Sequence, residues 1–126
     1  MDRAFIITGL VYAILGMCLG IVMAASNDHG QLVTHAHIML AGFVVSFLYG
    51  LCHKLWLNNL CNLLAKVQFG AHQAGMVLMA VGLFLLYGKY VAPETIEPVL
   101  ILSSLLVLTG MVLMAVMFIR TPARAT

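Results

Sequence analysis

The chain has 126 residues, of which 63% are hydrophobic and 8% charged, with a mean hydropathy of +1.10 and a formal net charge of +2. That composition excludes an ordinary soluble domain, and so small a positive excess gives no argument for nucleic acid. It points to an all-α integral membrane protein, a single domain over residues 1–126 with membrane lipid as its first partner.

Four apolar segments are each long enough to cross a hydrocarbon core that needs about 20 helical residues. The first, 4–25, lacks the charged n-region, short apolar core and A-x-A site of a cleavable signal, so it reads as a span. Its Gly9, Gly16 and Gly20 fall near one stripe, and Gly16-x-x-x-Gly20 is a small-residue pattern that lets backbones approach. The turn-rich Ser26-Asn27-Asp28-His29-Gly30 leads to the second span, 32–53, which opens on Thr34-His35-Ala36-His37 and meets no charge before Lys54. Residues 54–62 are amphipathic, with Trp56 as an interfacial anchor. The third span, 64–87, carries His72 beside Gln73 and a heptad pair, Gly75 and Gly82. After Ala92-Pro93-Glu94-Thr95, which can start a helix, comes the fourth span, 98–119.

Soft residues are plentiful without forming an evident site. Met76 with Met79, and Met111, Met114 and Met117, are spaced along helix faces and could carry Cu(I) as thioethers. No Met-rich or Cys-rich loop accompanies them to collect the ion, so gap-filling is the preferred reading. Cys18, Cys52 and Cys61 form no CxxC pair, and their odd number argues against a disulfide framework.

The uninterrupted apolar runs do not alternate, which excludes barrel strands and leaves helices. Short connections make sequential helices antiparallel neighbours, so the expected architecture is an up-down-up-down four-helix bundle. Arg3, Lys54, Lys66, Arg120 and Arg124 then share one face, and Asp28, Lys89, Glu94 and Glu97 the other. The positive-inside rule puts both termini in the cytoplasm, with the chain in the bacterial inner membrane. His35 and His37 lie about one turn in from the outer surface, His72 in the inner half, His53 at the inner end, and His29 in the outer loop.

Ionisable groups in a membrane span are rare and usually face a cavity, a partner or a cofactor. At 100° per residue, His35 and His37 point about 200° apart and stand only ~3 Å apart along the axis, so one metal ion cannot take both. Each serves a separate site, or one is no ligand. An axial imidazole on an apolar helix is a standard way to hold haem iron, and the aromatic, Gly-rich surroundings suit a flat macrocycle better than a compact ion. Zinc or copper held by histidines is the alternative metal reading. His72 is the third candidate for cofactor binding, divided between a ligand or proton-handling role and an interhelical hydrogen bond, whereas for His53 the hydrogen bond is preferred.

The stretch from His35 to Gly88 resembles the tenth and eleventh helices of subunit I of the haem-copper oxidases. There, His-x-His-x-x-Leu-x-Gly opens a helix running to a Gly and a Trp, and a second helix follows an Ala-Lys-x-x-Phe turn. The matching residues are His35, His37, Leu40, Gly42, Gly50 and Trp56, then Ala65, Lys66, Phe69 and Gly75. The resemblance covers under half of the chain. It implies that His35 ligates one haem and His37 another on the opposite side of the helix.

The family's copper site needs an adjacent His-His pair, which this chain lacks, and Ala71-His72-Gln73 is at best a partial echo. No oxygen reductase activity is therefore expected. Subunit I has twelve helices in three pseudo-symmetric arcs of four, so a homotrimer of this chain would regenerate the arrangement. The resulting expectation is a b-type haem protein, with copper as a secondary possibility, working with an electron-transfer partner in electron transfer or redox sensing. Gas sensing follows if only one histidine binds and an iron position stays open. The alternatives are a cofactor-free structural or assembly subunit of a respiratory complex and a small copper-handling protein. A transporter would want an intramembrane carboxylate, and Asp2, Asp28, Glu94 and Glu97 all lie at ends or loops.

Overall fold

The computed structural model describes residues 1–59 and 61–122. Within them the chain is helical and without strands, and four helices are long and apolar enough to cross a membrane: Asp2–Ser26, Leu32–Leu55, Leu63–Tyr87 and Pro93–Arg120. At 1.5 Å per residue even the shortest is about 36 Å long, against a hydrocarbon core of roughly 30 Å.

Local chemistry sets the ends. The first helix stops where Asn27 adopts the left-handed conformation at φ 54°. The third starts at Asn62, whose side chain accepts the Ala65 N–H at 2.9 Å, a standard N-cap. The fourth begins at Pro93, five residues before the apolar run that sets its expected start at 98. Pro93 needs no N–H in the first turn, and Pro98 deprives only the Glu94 carbonyl of a partner, close enough to the helix end for water to replace it.

The second helix is not regular. Leu32–His37 and Val45–Leu55 are α-helical, but Ile38–Val44 between them is a π-helix, closed for example by Val45 N–H to the Leu40 carbonyl. Each wide turn spends an extra residue, so residues after Val44 are rotated relative to His35 and His37. Gly42 lies inside this segment, and a Cβ there would stand 2.8 Å from Tyr12 Cγ. The first helix therefore packs its Tyr12 ring directly onto the widened backbone.

Glycines carry the close contacts between helices. Gly9 faces Phe43 and Ser46, Gly16 faces Ile38 and Met39, and Gly20 faces His35, so residue numbers fall along the second helix as they rise along the first. Likewise Gly75 meets Ser103 and Leu106, and Gly82 meets Leu100 and Ile96. At Gly75 a Cβ would come within 2.9 Å of the Ser103 carbonyl oxygen, so this pair of helices touches backbone to backbone.

One apolar cluster gathers Phe5, Tyr49, Leu57, Ala65, Met114 and Met117 near one end of the bundle. A second, with Tyr12, Ile38 and Met76, lies further along. Met76, Met114 and Met117 are thus core-fillers. Ile7, Ile14, Ile21, Leu105, Leu108 and Ile119 point outward, giving the apolar exterior a lipid-facing bundle needs. At the Phe5 end, Asp2, Arg3 and Lys54 line one groove, and the Met1 and Asp2 nitrogens both reach Asn59 Oδ1 at 2.8 and 2.9 Å. At the far end, Gln31 Nε2 donates to the Phe84 carbonyl at 2.9 Å, beside a groove that includes Asp28 and Lys89. Arg124, used in the charge argument, lies outside the described residues.

Candidate functional site

His35 and His37 sit in the last α-helical turn before the π segment. His35 is half-buried against the first helix, where its Nδ1 lies 2.8 Å from the Gly16 carbonyl oxygen. A Cβ on Gly20 would stand 3.1 Å from its Cε1, so the absence of that side chain makes room for the ring. His37 is exposed on another side of the helix, with Nδ1 2.8 Å from the Val33 carbonyl oxygen one turn back.

A carbonyl oxygen has no proton to give, so both Nδ1 atoms must be N–H donors. That fixes the tautomer: in each ring Nε2 keeps its lone pair. An imidazole anchored through Nδ1–H to a backbone carbonyl, with Nε2 free, is the arrangement that metal-binding histidines adopt. The i, i+2 spacing keeps the two lone pairs on separate sides.

His72 stands apart. Its Nε2 is 3.0 Å from Ser46 Oγ, and it is fully buried. Ser46 is eleven residues beyond His35, so the two histidines are separated by roughly 15 Å along the bundle. His53, also fully buried, places Nε2 3.2 Å from Gln68 Oε1, which makes it an interhelical hydrogen-bonding residue. His29 is exposed in the loop.

Around His72 and His53 the structure assembles polar residues that their positions in separate spans do not advertise. Ser46, Tyr49 and His53 share one face of the second helix at i, i+3 and i+7, and Gln68 and His72 share one face of the third at i, i+4. The Tyr49 ring meets His72 edge-on with centroids 5.1 Å apart. Phe5 is stacked on His53 at 5.5 Å and lies edge-on to Tyr49 at 5.4 Å. One step on, Tyr12 Oη donates to Gln73 Oε1 and Gln73 Nε2 donates to Thr8 Oγ1, both at 3.0 Å. The helical spacing of these polar residues inside apolar spans is the signal from which each half of the group can be read.

Among the described residues, no group of three or more His, Cys, Asp or Glu side chains is arranged to hold a metal ion. A compact zinc or copper centre within one chain has no such ligand set here, whereas axial haem ligation asks only for single imidazoles with free Nε2 atoms. His35 and His37 meet that requirement. Comparison with protein-family models, with curated proteins and with solved structures finds no match to this chain.

Proposed function

We propose that this chain is a small membrane protein that holds b-type haem between copies of itself and works in electron transfer or redox sensing. The observation that carries the reading is the pair of imidazoles at His35 and His37, each with its proton held on Nδ1 by a backbone carbonyl and its Nε2 lone pair left over. Haem bound by two histidines supplies reversible one-electron chemistry without an open iron position. The chain's residues do the rest. The Gly16 carbonyl orients His35 and strengthens it as a ligand, Gly20 leaves space beside its ring, and the Val33 carbonyl does for His37 what Gly16 does for His35.

One chain offers each lone pair no second histidine opposite it. A ring of three chains supplies one: each cleft between subunits receives His35 from one copy and His37 from the next, by a heterologous contact that closes on itself. The likeness of the His35–Gly88 stretch to subunit I of the haem-copper oxidases supports this, since three copies carry the twelve helices of that subunit. His72, engaged through Nε2 and far from His35 along the bundle, receives no ligand role.

The membrane arrangement in this reading is up-down-up-down, with both termini cytoplasmic in the bacterial inner membrane. Arg3 and Lys54 share a groove, with Asp2, at the end where the chain begins, and that excess of positive charge supports an inner position for it by the positive-inside rule. His35 and His37 then lie toward the outer surface, where a periplasmic or membrane-bound electron partner would reach the haem.

Native mass spectrometry of the protein released from detergent tests the assembly. The expected mass is that of three chains with three haems. A haem-to-chain ratio other than one, or a dimer, contradicts the bridged arrangement.

A further inference from the structure

Among the described residues, four buried side-chain polar atoms have no hydrogen-bond partner: Tyr49 Oη, His53 Nδ1, Gln68 Nε2 and His72 Nδ1. Lipid around a membrane bundle offers such atoms no partner, and buried polar groups are almost always paired. These four are not scattered. They all belong to the ladder in which His53 Nε2 meets Gln68 Oε1 and His72 Nε2 meets Ser46 Oγ, with Tyr49 against His72.

The chemistry of the unpaired set is mixed. Gln68 Oε1 can only accept, so His53 Nε2 carries its proton and His53 Nδ1 is a bare acceptor. Tyr49 Oη and Gln68 Nε2 hold unused donors. His72 Nδ1 takes whichever role the Ser46 hydroxyl and the neighbouring Ala41 backbone carbonyl leave it. A cation or an anion would satisfy only part of that set, whereas water both donates and accepts.

We propose that this ladder binds internal water and acts as a proton relay, running from the Met1–Asp2–Asn59 end of the bundle through His53 and Tyr49 to His72 and Ser46. Asp2 and the Met1 amine are the charged groups that act on His53, and Cys52 is the titratable neighbour of Tyr49. From the first helix Phe5 covers the ladder with an apolar ring, and from the fourth the Gly110 backbone closes over His72. His53 takes a proton from water at Nδ1 and gives up the one on Nε2 to water once that N–H has turned away from Gln68 Oε1. His72 exchanges protons with water at Nδ1 and with the Ser46 hydroxyl at Nε2. Only N–H and O–H bonds are exchanged, so no oxidant or reductant is required. The proposal is independent of the haem reading.

The test is solid-state NMR of histidine-labelled protein in lipid vesicles, following magnetisation from water to each imidazole N–H. His53 and His72 are expected to receive it early, alongside the loop residue His29, although both are fully buried. In Tyr49→Phe the early transfer to His72 is expected to be lost and the protein to become less stable, because a water ligand is gone. In His53→Gln, exchange of the His72 proton with bulk water is expected to slow while the ladder stays wet. No early transfer to either buried histidine in the unmodified protein overturns the water site, as does a Tyr49→Phe variant more stable than the parent, the signature of an unpaired hydroxyl removed from a dry core. Unchanged His72 exchange in His53→Gln overturns the relay. The readout is the same with or without haem, so its failure is separate from failure of the haem assignment.

Discussion

Replacing His35 or His37 alone with alanine should abolish six-coordinate haem, and expressing the two variants together should restore part of it. In the proposed trimer each site needs His35 from one subunit and His37 from its neighbour, so a chain lacking His35 can still contribute His37, and the reverse. In randomly mixed trimers about one site in four has a competent pair, so recovery of about a quarter of the parent signal is expected. A haem held wholly within one chain would show no recovery, since every chain in the mixture lacks one ligand. The mixed sample therefore reports on the bridge itself, and the single variants report on the ligands. His72→Ala serves as the control: His72 is tied to Ser46 at a different level of the bundle, and its removal should leave the coordination six-fold.

Phe5→Ala should have the largest effect on stability of any single change in the apolar core. The ring is fully buried and wedged between Tyr49, His53 and Phe69, at centroid distances of 5.4, 5.5 and 4.9 Å. Removing it leaves a cavity lined by second- and third-helix residues that cannot close without shifting the paired histidine ladder. A loss on the order of 3 kcal/mol is expected. Part of the usual transfer penalty is absent because an unfolded membrane chain remains in lipid, but the lost packing contacts remain lost. Reversible unfolding in mixed detergent micelles measures the difference, and Ile7→Ala on the lipid-facing side should change it little. Equal stability of Phe5→Ala and the parent would show that the first helix is not docked through this ring.

Hydropathy alone makes the four spans legible, because their length and lack of charge exceed what any soluble helix needs. Boundaries are less so. The fourth helix starts at Pro93, within the Ala92-Pro93-Glu94-Thr95 start signal, so the apolar run from 98 understates its length. The π segment at Ile38–Val44 is invisible in the sequence, since its wide turns accompany Tyr12 packing onto Gly42, a contact between helices. The i, i+2 spacing of His35 and His37 already rules out one ion held by both, leaving separate sites or a single ligand. It does not reveal the carbonyls of Gly16 and Val33, which fix the tautomers once the first and second helices are in register. The Ser46, Tyr49, His53, Gln68 and His72 ladder is legible only in halves. Each half is a run of polar residues at helical spacing, and only the packing of two helices joins them.

The glycine stripe of the first helix gains a meaning beyond close packing. Gly16 supplies the carbonyl that orients His35, and Gly20 the space for its ring. Small residues there bring a backbone acceptor within hydrogen-bonding distance of an imidazole inside a lipid-facing bundle.

The most direct measurement is the visible absorption spectrum of the purified protein, oxidised and then reduced with dithionite. Haem held by His35 and His37 predicts the sharp reduced bands of a six-coordinate b-type centre. A protein that is colourless, and stays colourless when haem is supplied, would contradict it.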